Sequence, residues 1–172
     1  RRILDLLAAL ERAGVDVVVV GGVAVVLRGH AWMTVHLDLA LDLASDNVLA
    51  VLEVLTRAGL VHRLPVPAEK FADADLRRSW VEERNLVAFT LHDVDDPLRE
   101  VDLLATTSIP YAELRAGSDI LDVDGVPVRV ASIEHLIRMK RATGRSQDLA
   151  DAEALSQLAG TDIVRIDEPD GT

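Results

Sequence analysis

The sequence predicts a single α/β domain, of the α+β kind, in which a mixed, twisted sheet is flanked by helices and two helices close the chain. The chain has 172 residues, 49% of them hydrophobic, which is enough for one substantial core. Residues 17–43 have the pattern of a strand, a short helix and a second strand, and further strand patterns follow. We expect residues 1–161 to form this domain and residues 162–172 to form an acidic, loosely packed tail.

Apolar spacing predicts two helices of about three turns in the first half of the chain. Residues 2–13 carry leucines three and four positions apart, and Gly14 follows as a stop. Residues 45–58 show the same spacing between Ser45, a candidate N-terminal cap, and a glycine at position 59. Each helix therefore has one apolar face to pack against the sheet.

The middle of the chain predicts two antiparallel strands preceded by irregular structure. Two prolines favour a short strand and a turn over residues 60–67, and the polar segment 71–83 predicts a loop or an irregular helix. Residues 85–94 and 98–105 have strand composition and are separated by a turn-forming Asp-Asp-Pro cluster. These two strands should pair with each other.

A hairpin and two helices complete the predicted fold. Residues 120–123 and 126–130 flank an Asp-Gly pair, which is a strong signal for a two-residue turn. Ser132 is positioned to cap the next helix, which ends at Gly144, and the last helix starts after Ser146.

The strand–helix–strand unit also holds the first candidate site. Gly21 and Gly22 end a run of four valines and open a helix, so their backbone can approach a ligand and direct N–H groups at an anion. His36 and Asp38 then project from one face of the next strand, because strand side chains alternate. Asp102, in an apolar part of a later strand, is a third candidate. Each feature alone also fits a plain turn or a half-buried strand, but together they favour a nucleotide site.

Lys140, one of two lysines in the chain, continues the buried stripe of the first closing helix. Either its stem covers apolar surface while the ammonium reaches water, or the ammonium meets an anion in the proposed site. Asp148 and Asp151 lie in the first turn of the last helix. They either complement the helix dipole or take part in catalysis.

Composition limits the functional classes. A net charge of −11 opposes a broad electrostatic grip on nucleic acid, although a local basic patch could hold an RNA end. The absence of cysteine excludes disulfides and thiolate chemistry and fits a reducing cytoplasm. Asp5 interrupts the opening apolar run, and the longest apolar run, residues 17–27, is too short to span a bilayer. We therefore expect a soluble, cytoplasmic protein without a membrane partner.

Four motifs resemble those of the AbiEii-type minimal nucleotidyltransferases, in the polymerase-beta-like nucleotidyltransferase superfamily. They are GG-x-A at residues 21–24, a threonine-led acidic strand at 34–38, VDLL at 101–104 and K-x4-R-x2-D-x2-D at 140–151. The likeness covers roughly residues 15–158 and implies a nucleotidyltransferase fold. It also implies transfer of a nucleotidyl group from an NTP to a hydroxyl on RNA, protein or a small molecule. Relatives of this type are often toxins, which implies an antitoxin-like partner.

The resemblance also implies residue roles. Gly21, Gly22, Thr34 and Lys140 would bind the nucleotide, with Lys140 facing the triphosphate. His36, Asp38 and Asp102 would hold Mg²⁺ or Mn²⁺, and Asp38 and Asp102 would be catalytic, Asp102 helping to deprotonate the incoming hydroxyl. Clustered oxygen ligands suit this chemistry, because divalent cations neutralise and align a transferring phosphoryl group.

The chain departs from the family pattern at the acidic strand. Trp32 stands where the family has an arginine, and His36 stands where it has the first metal-binding carboxylate. A neutral imidazole removes one negative charge and suits transition metals better than magnesium, so we expect a weakened site. Three hypotheses follow: an active enzyme, a non-catalytic module that binds a nucleotide or a partner, and a cleft adapted to other small-molecule chemistry.

Overall fold

The computed structural model describes residues 2–29 and 36–166, with the backbone alone at residues 2, 147 and 158–166. Its helices are α1 (Arg2–Ala13), α2 (Gly21–Leu27), α3 (Ser45–Arg57), α4 (Ala74–Arg84), α5 (Tyr111–Gly117), α6 (Ile133–Thr143) and α7 (Ser146–Ile166). Its strands are β1 (Val17–Val20), β2 (His36–Leu41), β3 (Val61–His62), β4 (Ala88–His92), β5 (Glu100–Leu104), β6 (Asp119–Val123) and β7 (Val126–Val130). None of these helices combines the length and hydropathy of a membrane-spanning segment.

The described strands form one mixed sheet in the order β3-β4-β5-β2-β1-β7-β6. Strand β2 runs antiparallel to β1 and parallel to β5, and β1 runs parallel to β7. The β4–β5 and β6–β7 pairs are antiparallel, as expected from their turns. Asp124 and Gly125 have φ angles of 50° and 86°, which a two-residue hairpin turn requires. The predicted α/β fold with a mixed sheet flanked by helices is confirmed.

The two faces of the central strands differ in polarity. Leu37 and Leu39 of β2 and Leu103 of β5 are fully buried on the face that packs into the core. Because strand side chains alternate, Asp38 and Asp102 project from the other face. The hydrophobic alternation thus fixes the direction of the acids as well as the core.

Residues 71–83 are more regular than expected. A 3₁₀ turn at Ala68–Ala72 leads into α4, which the Asp73 carboxylate caps by accepting the backbone N–H groups of Asp75 and Leu76. The guanidinium of Arg77, 7% exposed, donates to the carbonyl of Phe71 at 2.7 Å. A cap, a buried arginine and the buried Trp80 hold the helix, although its sequence is mostly polar.

Two predicted caps have different outcomes. Ser45 does not cap α3, because Ala44 holds the N-cap position and the Ser45 hydroxyl instead donates to the carbonyl of Ala72 at 2.9 Å. Ser132 does cap α6: its hydroxyl accepts the N–H of His135 at 3.1 Å. Gly144 ends α6 in the left-handed conformation, with φ of 68°.

The sequence pattern missed one helix. The seven-residue α5 follows Pro110 and is too short to show a clear apolar period. The last helix, α7, extends from Ser146 to Ile166, into the segment expected to form the tail. Residues 167–172 of the expected tail lie outside the described residues.

Candidate active site

The parallel pairing of β2 with β5 places polar side chains in two adjacent rows. The register matches Asp38 with Asp102 and, two residues earlier, His36 with Glu100. Asp38 and Asp102, which the sequence separates by 64 positions, are therefore neighbours. Thr34, the remaining candidate of this strand, lies outside the described residues.

Asp38 carries the most perturbed charge of the site. Burial, then the charge of Asp102, then a hydrogen bond between the two carboxyl groups raise the pKa of Asp38 from 3.8 to about 7. The charge of Lys140 and a hydrogen bond from the backbone N–H of Gly22 lower the pKa without offsetting the burial. Two like charges crowded in this way favour either a shared proton or a bound cation.

Gly21 allows Asp38 to lie directly against the glycine turn. Its φ is 66°, a conformation that side chains disfavour. A Cβ at this position would lie 2.1 Å from Oδ2 of Asp38, well inside the contact distance of the two atoms. The bare glycine therefore provides the space that the carboxylate occupies, and Gly22 supplies the N–H that bonds it.

Two neighbours orient the acids. Thr90 of β4 donates its hydroxyl to Oδ1 of Asp102 at 2.5 Å. Nδ1 of His36 contacts one oxygen of Glu100 and lies 3.8 Å from Oδ2 of Asp102, while Arg63 contacts the other oxygen of Glu100. Glu100, only 5% exposed, is thus held between two cationic partners when His36 is protonated.

Sequence reasoning did not select Glu100 as a site residue, although a signal was present. Glu100-Val101-Asp102 alternates in the same way as His36-Leu37-Asp38, so Glu100 shares the face of Asp102. Only the register of β2 on β5 shows that Glu100 lies beside His36.

A cleft of about 470 Å³ opens beside Asp38. Gly21, Asp38, Lys140, Arg145 and Asp148 are among the residues that line it. Apolar side chains of β5, α6 and the adjoining segments form much of the remaining wall, including Val87, Leu104, Leu136 and Met139. The volume is in the range of small-molecule sites.

Lys140 projects into this cleft between two sets of acids. Its Nζ lies 3.4 Å from Oδ1 of Asp148 and 3.3 Å from Oδ2 of Asp151, both on α7. Burial raises the pKa of Asp148, but hydrogen bonds from Thr143 and Arg145 and the charge of Lys140 outweigh it, so the pKa is lowered. The two α7 acids therefore do more than complement a helix dipole, because they hold the lysine.

The donor set at the strands suits a divalent cation bound jointly with substrate. Within residues 2–29 and 36–166, no group of three or more His, Asp and Glu side chains is arranged to hold a metal ion. On the described strands, the carboxyl groups of Asp38 and Asp102 contact each other directly. Magnesium is commonly held by one or two carboxylates, with waters and substrate phosphates completing its shell. The crowded charge of this pair fits such a cation, whereas His36 faces Glu100.

Comparison with solved structures identifies the fold. The chain is similar to the solution structure of the antibiotic-resistance factor ANT(2'')-Ia, with a TM-score of 0.60 and 15% identity over 96% of this chain and 86% of that chain. It is also similar to the crystal structure of ANT(2'')-Ia in complex with adenylyl-2''-tobramycin, with a TM-score of 0.55 and 16% identity over 95% and 96% of the two chains. At these identities the likeness establishes a nucleotidyltransferase fold.

No protein-family model matches the sequence. No curated protein matches it significantly either. The resemblance to AbiEii-type enzymes therefore stays a prediction.

Proposed function

We propose that the protein transfers a nucleotidyl group from an NTP to a hydroxyl acceptor. The observation that carries the proposal is the Asp38–Asp102 pair, of which Asp38 lies against the Gly21–Gly22 turn and lines a cleft that also contains Lys140. A glycine turn offers backbone N–H groups to phosphate, and a lysine offers charge-assisted hydrogen bonds. Crowded carboxylates supply the remaining requirement, a site for a divalent cation.

In the proposed reaction, the acceptor oxygen attacks the α-phosphorus, the bond to the β-phosphate oxygen breaks, and pyrophosphate leaves. Asp38 and Asp102 would hold the divalent cation, which when bound neutralises phosphate charge and aligns the reacting oxygens. Asp102, oriented by the Thr90 hydroxyl, takes the proton from the acceptor hydroxyl. Gly21, Gly22 and Lys140 bind the triphosphate, and Thr34, which the family resemblance assigns to nucleotide binding, is proposed to contribute.

We favour a small-molecule acceptor over an RNA end or a protein. The related fold of ANT(2'')-Ia was captured with adenylyl-2''-tobramycin, a small molecule carrying a nucleotidyl group. The net charge of −11 also disfavours a polyanionic acceptor and favours a neutral or cationic one. A toxin-type role with an antitoxin-like partner is a finer proposal that rests on the AbiEii-type resemblance, and reading the adjacent open reading frames tests it.

A second candidate is a nucleotide-binding module that does not transfer. The pairing of His36 with Glu100 favours it, because the family's first carboxylate is absent and its replacement is directed at another acid. Transfer and binding must therefore be measured separately.

The test is transfer from α-labelled NTPs to a panel of hydroxyl compounds that includes aminoglycosides, with Mg²⁺ or Mn²⁺. Asp102→Asn should lower transfer about 100-fold or more, because the proton acceptor and one charged metal ligand are lost, while NTP binding in a chelator changes little. The control is Glu53→Gln, an acid on α3 paired with Arg57 on the surface, which should match the parent. NTP binding without transfer would favour the second candidate, and full activity of Asp102→Asn would contradict the assigned site.

A further inference from the structure

The corner between α6 and α7 contains a second cation that lines the same cleft as Lys140. Arg145 lies in the two-residue connection between the helices, and its side chain is 78% exposed. Its described contact uses Nε, which donates to Oδ2 of Asp148 at 2.6 Å. The two terminal nitrogens of the guanidinium carry its other four N–H donors.

Asp148 fixes this corner through several donors. Besides Arg145, the Thr143 hydroxyl donates to its Oδ2 at 2.5 Å, and Lys140 lies 3.4 Å from its Oδ1. Asp148 is only 5% exposed, so a single buried carboxylate orients both cations. An arginine held at Nε loses little further side-chain freedom when its fork meets an acceptor.

Lys140 is held loosely enough to bind an additional anion. Its distances to Asp148 and Asp151, 3.4 and 3.3 Å, are longer than those of optimal charge-assisted hydrogen bonds, and its side chain is 19% exposed. It also lies close enough to Asp38 to lower the pKa of that carboxyl. The ammonium therefore interacts both with the α7 acids and with the Asp38 carboxyl group.

We propose that Arg145 is a second phosphate-binding residue of the cleft, and that Asp148 and Asp151 are positioning residues that hold Arg145 and Lys140 toward a nucleoside triphosphate. The inference rests on the proposed function, since it assumes that the cleft takes a triphosphate. Asp148 and Asp151 balance the charges of Arg145 and Lys140, so the corner carries no excess positive charge. Selectivity for phosphate therefore comes from the fixed direction of the two cations.

The alternative is that Asp151 makes a purely structural contact between α6 and α7. The two hypotheses predict different changes in triphosphate binding for Asp151→Asn. If Asp151 only joins the helices, Asp151→Asn removes a negative charge near the phosphates and binding should tighten or stay unchanged. If Asp151 positions Lys140, the same variant should weaken triphosphate binding about three- to tenfold. Asp151→Glu, which keeps the charge, should give an intermediate loss.

The experiment is calorimetric titration of the parent and each variant with ATP, inorganic triphosphate and adenosine, in the presence of a chelator. Arg145→Ala should weaken binding of ATP and of inorganic triphosphate about tenfold or more and leave adenosine unchanged, as expected for a charge-assisted phosphate contact. Arg145→Lys should recover part of the loss. The matched control is Arg141→Ala, an exposed arginine at the end of α6 that does not line the cleft.

The outcomes separate this inference from the proposed function. If ATP binds the parent and Arg145→Ala alike, Arg145 has no phosphate role, although the proposed transfer can still stand. If inorganic triphosphate binding depends on Arg145 but no NTP is consumed, the inference stands and the transferase proposal fails. Tighter binding by Asp151→Asn overturns the positioning role. Melting temperatures of all variants verify that each is folded. Because Arg145 is exposed, we expect Arg145→Ala to fold, and it tests the proposal even if Asp151→Asn is unstable.

Discussion

Two pairs of aspartates each contribute one acid, Asp38 or Asp148, to the lining of the same cleft, and the pKa values of these two acids are shifted in opposite directions. Asp38 and Asp102 lie on adjacent strands with their carboxyl groups in contact, and the pKa of Asp38 is raised to about 7, mainly by burial. Asp148 and Asp151 lie on one helix and share Lys140, and the pKa of Asp148 is lowered. The α7 acids are the more deeply buried, whereas Asp38 and Asp102 are only partly buried, so burial alone does not explain the difference.

The two pairs differ in whether the fold supplies counter-ions for their negative charges. The α7 acids receive an ammonium, a guanidinium and a hydroxyl, so their charges stabilise the fold. Near Asp38, one backbone N–H and the lysine between the two pairs leave an excess of negative charge. An acid pair that the protein leaves unbalanced is suited to bind an external cation, and such sites are commonly functional.

The largest expected effect comes from disturbing the glycine that makes room for Asp38. Gly21→Ala combines a positive φ with direct overlap on Asp38, and we expect a loss of about 3–4 kcal/mol of stability together with loss of transfer. Gly14→Ala is the matched control, because Gly14 has φ of 65° but no atom within 4 Å of a built Cβ. It should cost about 1–2 kcal/mol. Equal losses in denaturant unfolding would show that the overlap is absorbed without cost.

The next largest effect compares the two acid pairs directly. Asp148→Asn should destabilise the protein by about 2 kcal/mol, because three donors lose a buried charged acceptor. Asp38→Asn should instead stabilise the metal-free protein by about 1 kcal/mol at pH 8, because it removes a crowded charge. Urea unfolding in a chelator measures both changes. A destabilised Asp38→Asn would contradict the view that this charge is unbalanced.

The pH dependence of stability sharpens the same comparison. The raised pKa of Asp38 means that its protonation favours the folded state, so this contribution is present below about pH 4 and is lost as pH rises through about 7. Asp148, with a lowered pKa, contributes stability at neutral pH that is lost only in acid, below the usual aspartate range. In a chelator, the melting temperature of Asp38→Asn should exceed that of the parent by about 2–4 °C at pH 8 and by little at pH 4.5. A difference that is constant between these pH values would contradict the raised pKa.

The sequence predicted the parts of the site that depend on local pattern. Alternation in β2 and β5 placed Asp38 and Asp102 each on one face of a strand, and the glycine pair marked the turn beside them. The sequence did not predict the register between strands or the packing of the helices against each other. The contact of His36 with Glu100 depends on how β2 pairs with β5, and the partners of Lys140 depend on the angle at which α7 returns against α6. Helix α4 was missed as a regular helix because a cap at Asp73, and not an apolar period, defines it.

The smallest expected effect concerns His36, at the edge of the unbalanced pair. His36→Asp replaces an imidazole that faces Glu100 with a third carboxylate beside Asp38 and Asp102. We expect magnesium to bind roughly three- to tenfold more tightly, because hard cations prefer oxygen ligands, and any transfer activity to rise. The matched control is His36→Asn, which removes the ring without adding charge and should not tighten magnesium binding.

The gain in the His36→Asp variant is expected to be small because Arg63 already compensates Glu100, and the new acid competes for the same neighbours. Calorimetric titration with Mg²⁺ and Mn²⁺ distinguishes two causes. A gain confined to Mg²⁺ indicates that ligand type limits the parent, whereas equal gains for both cations indicate that negative charge limits it. If the parent binds magnesium as tightly as His36→Asp, the histidine does not weaken the site, and the pair of Asp38 and Asp102 is sufficient by itself.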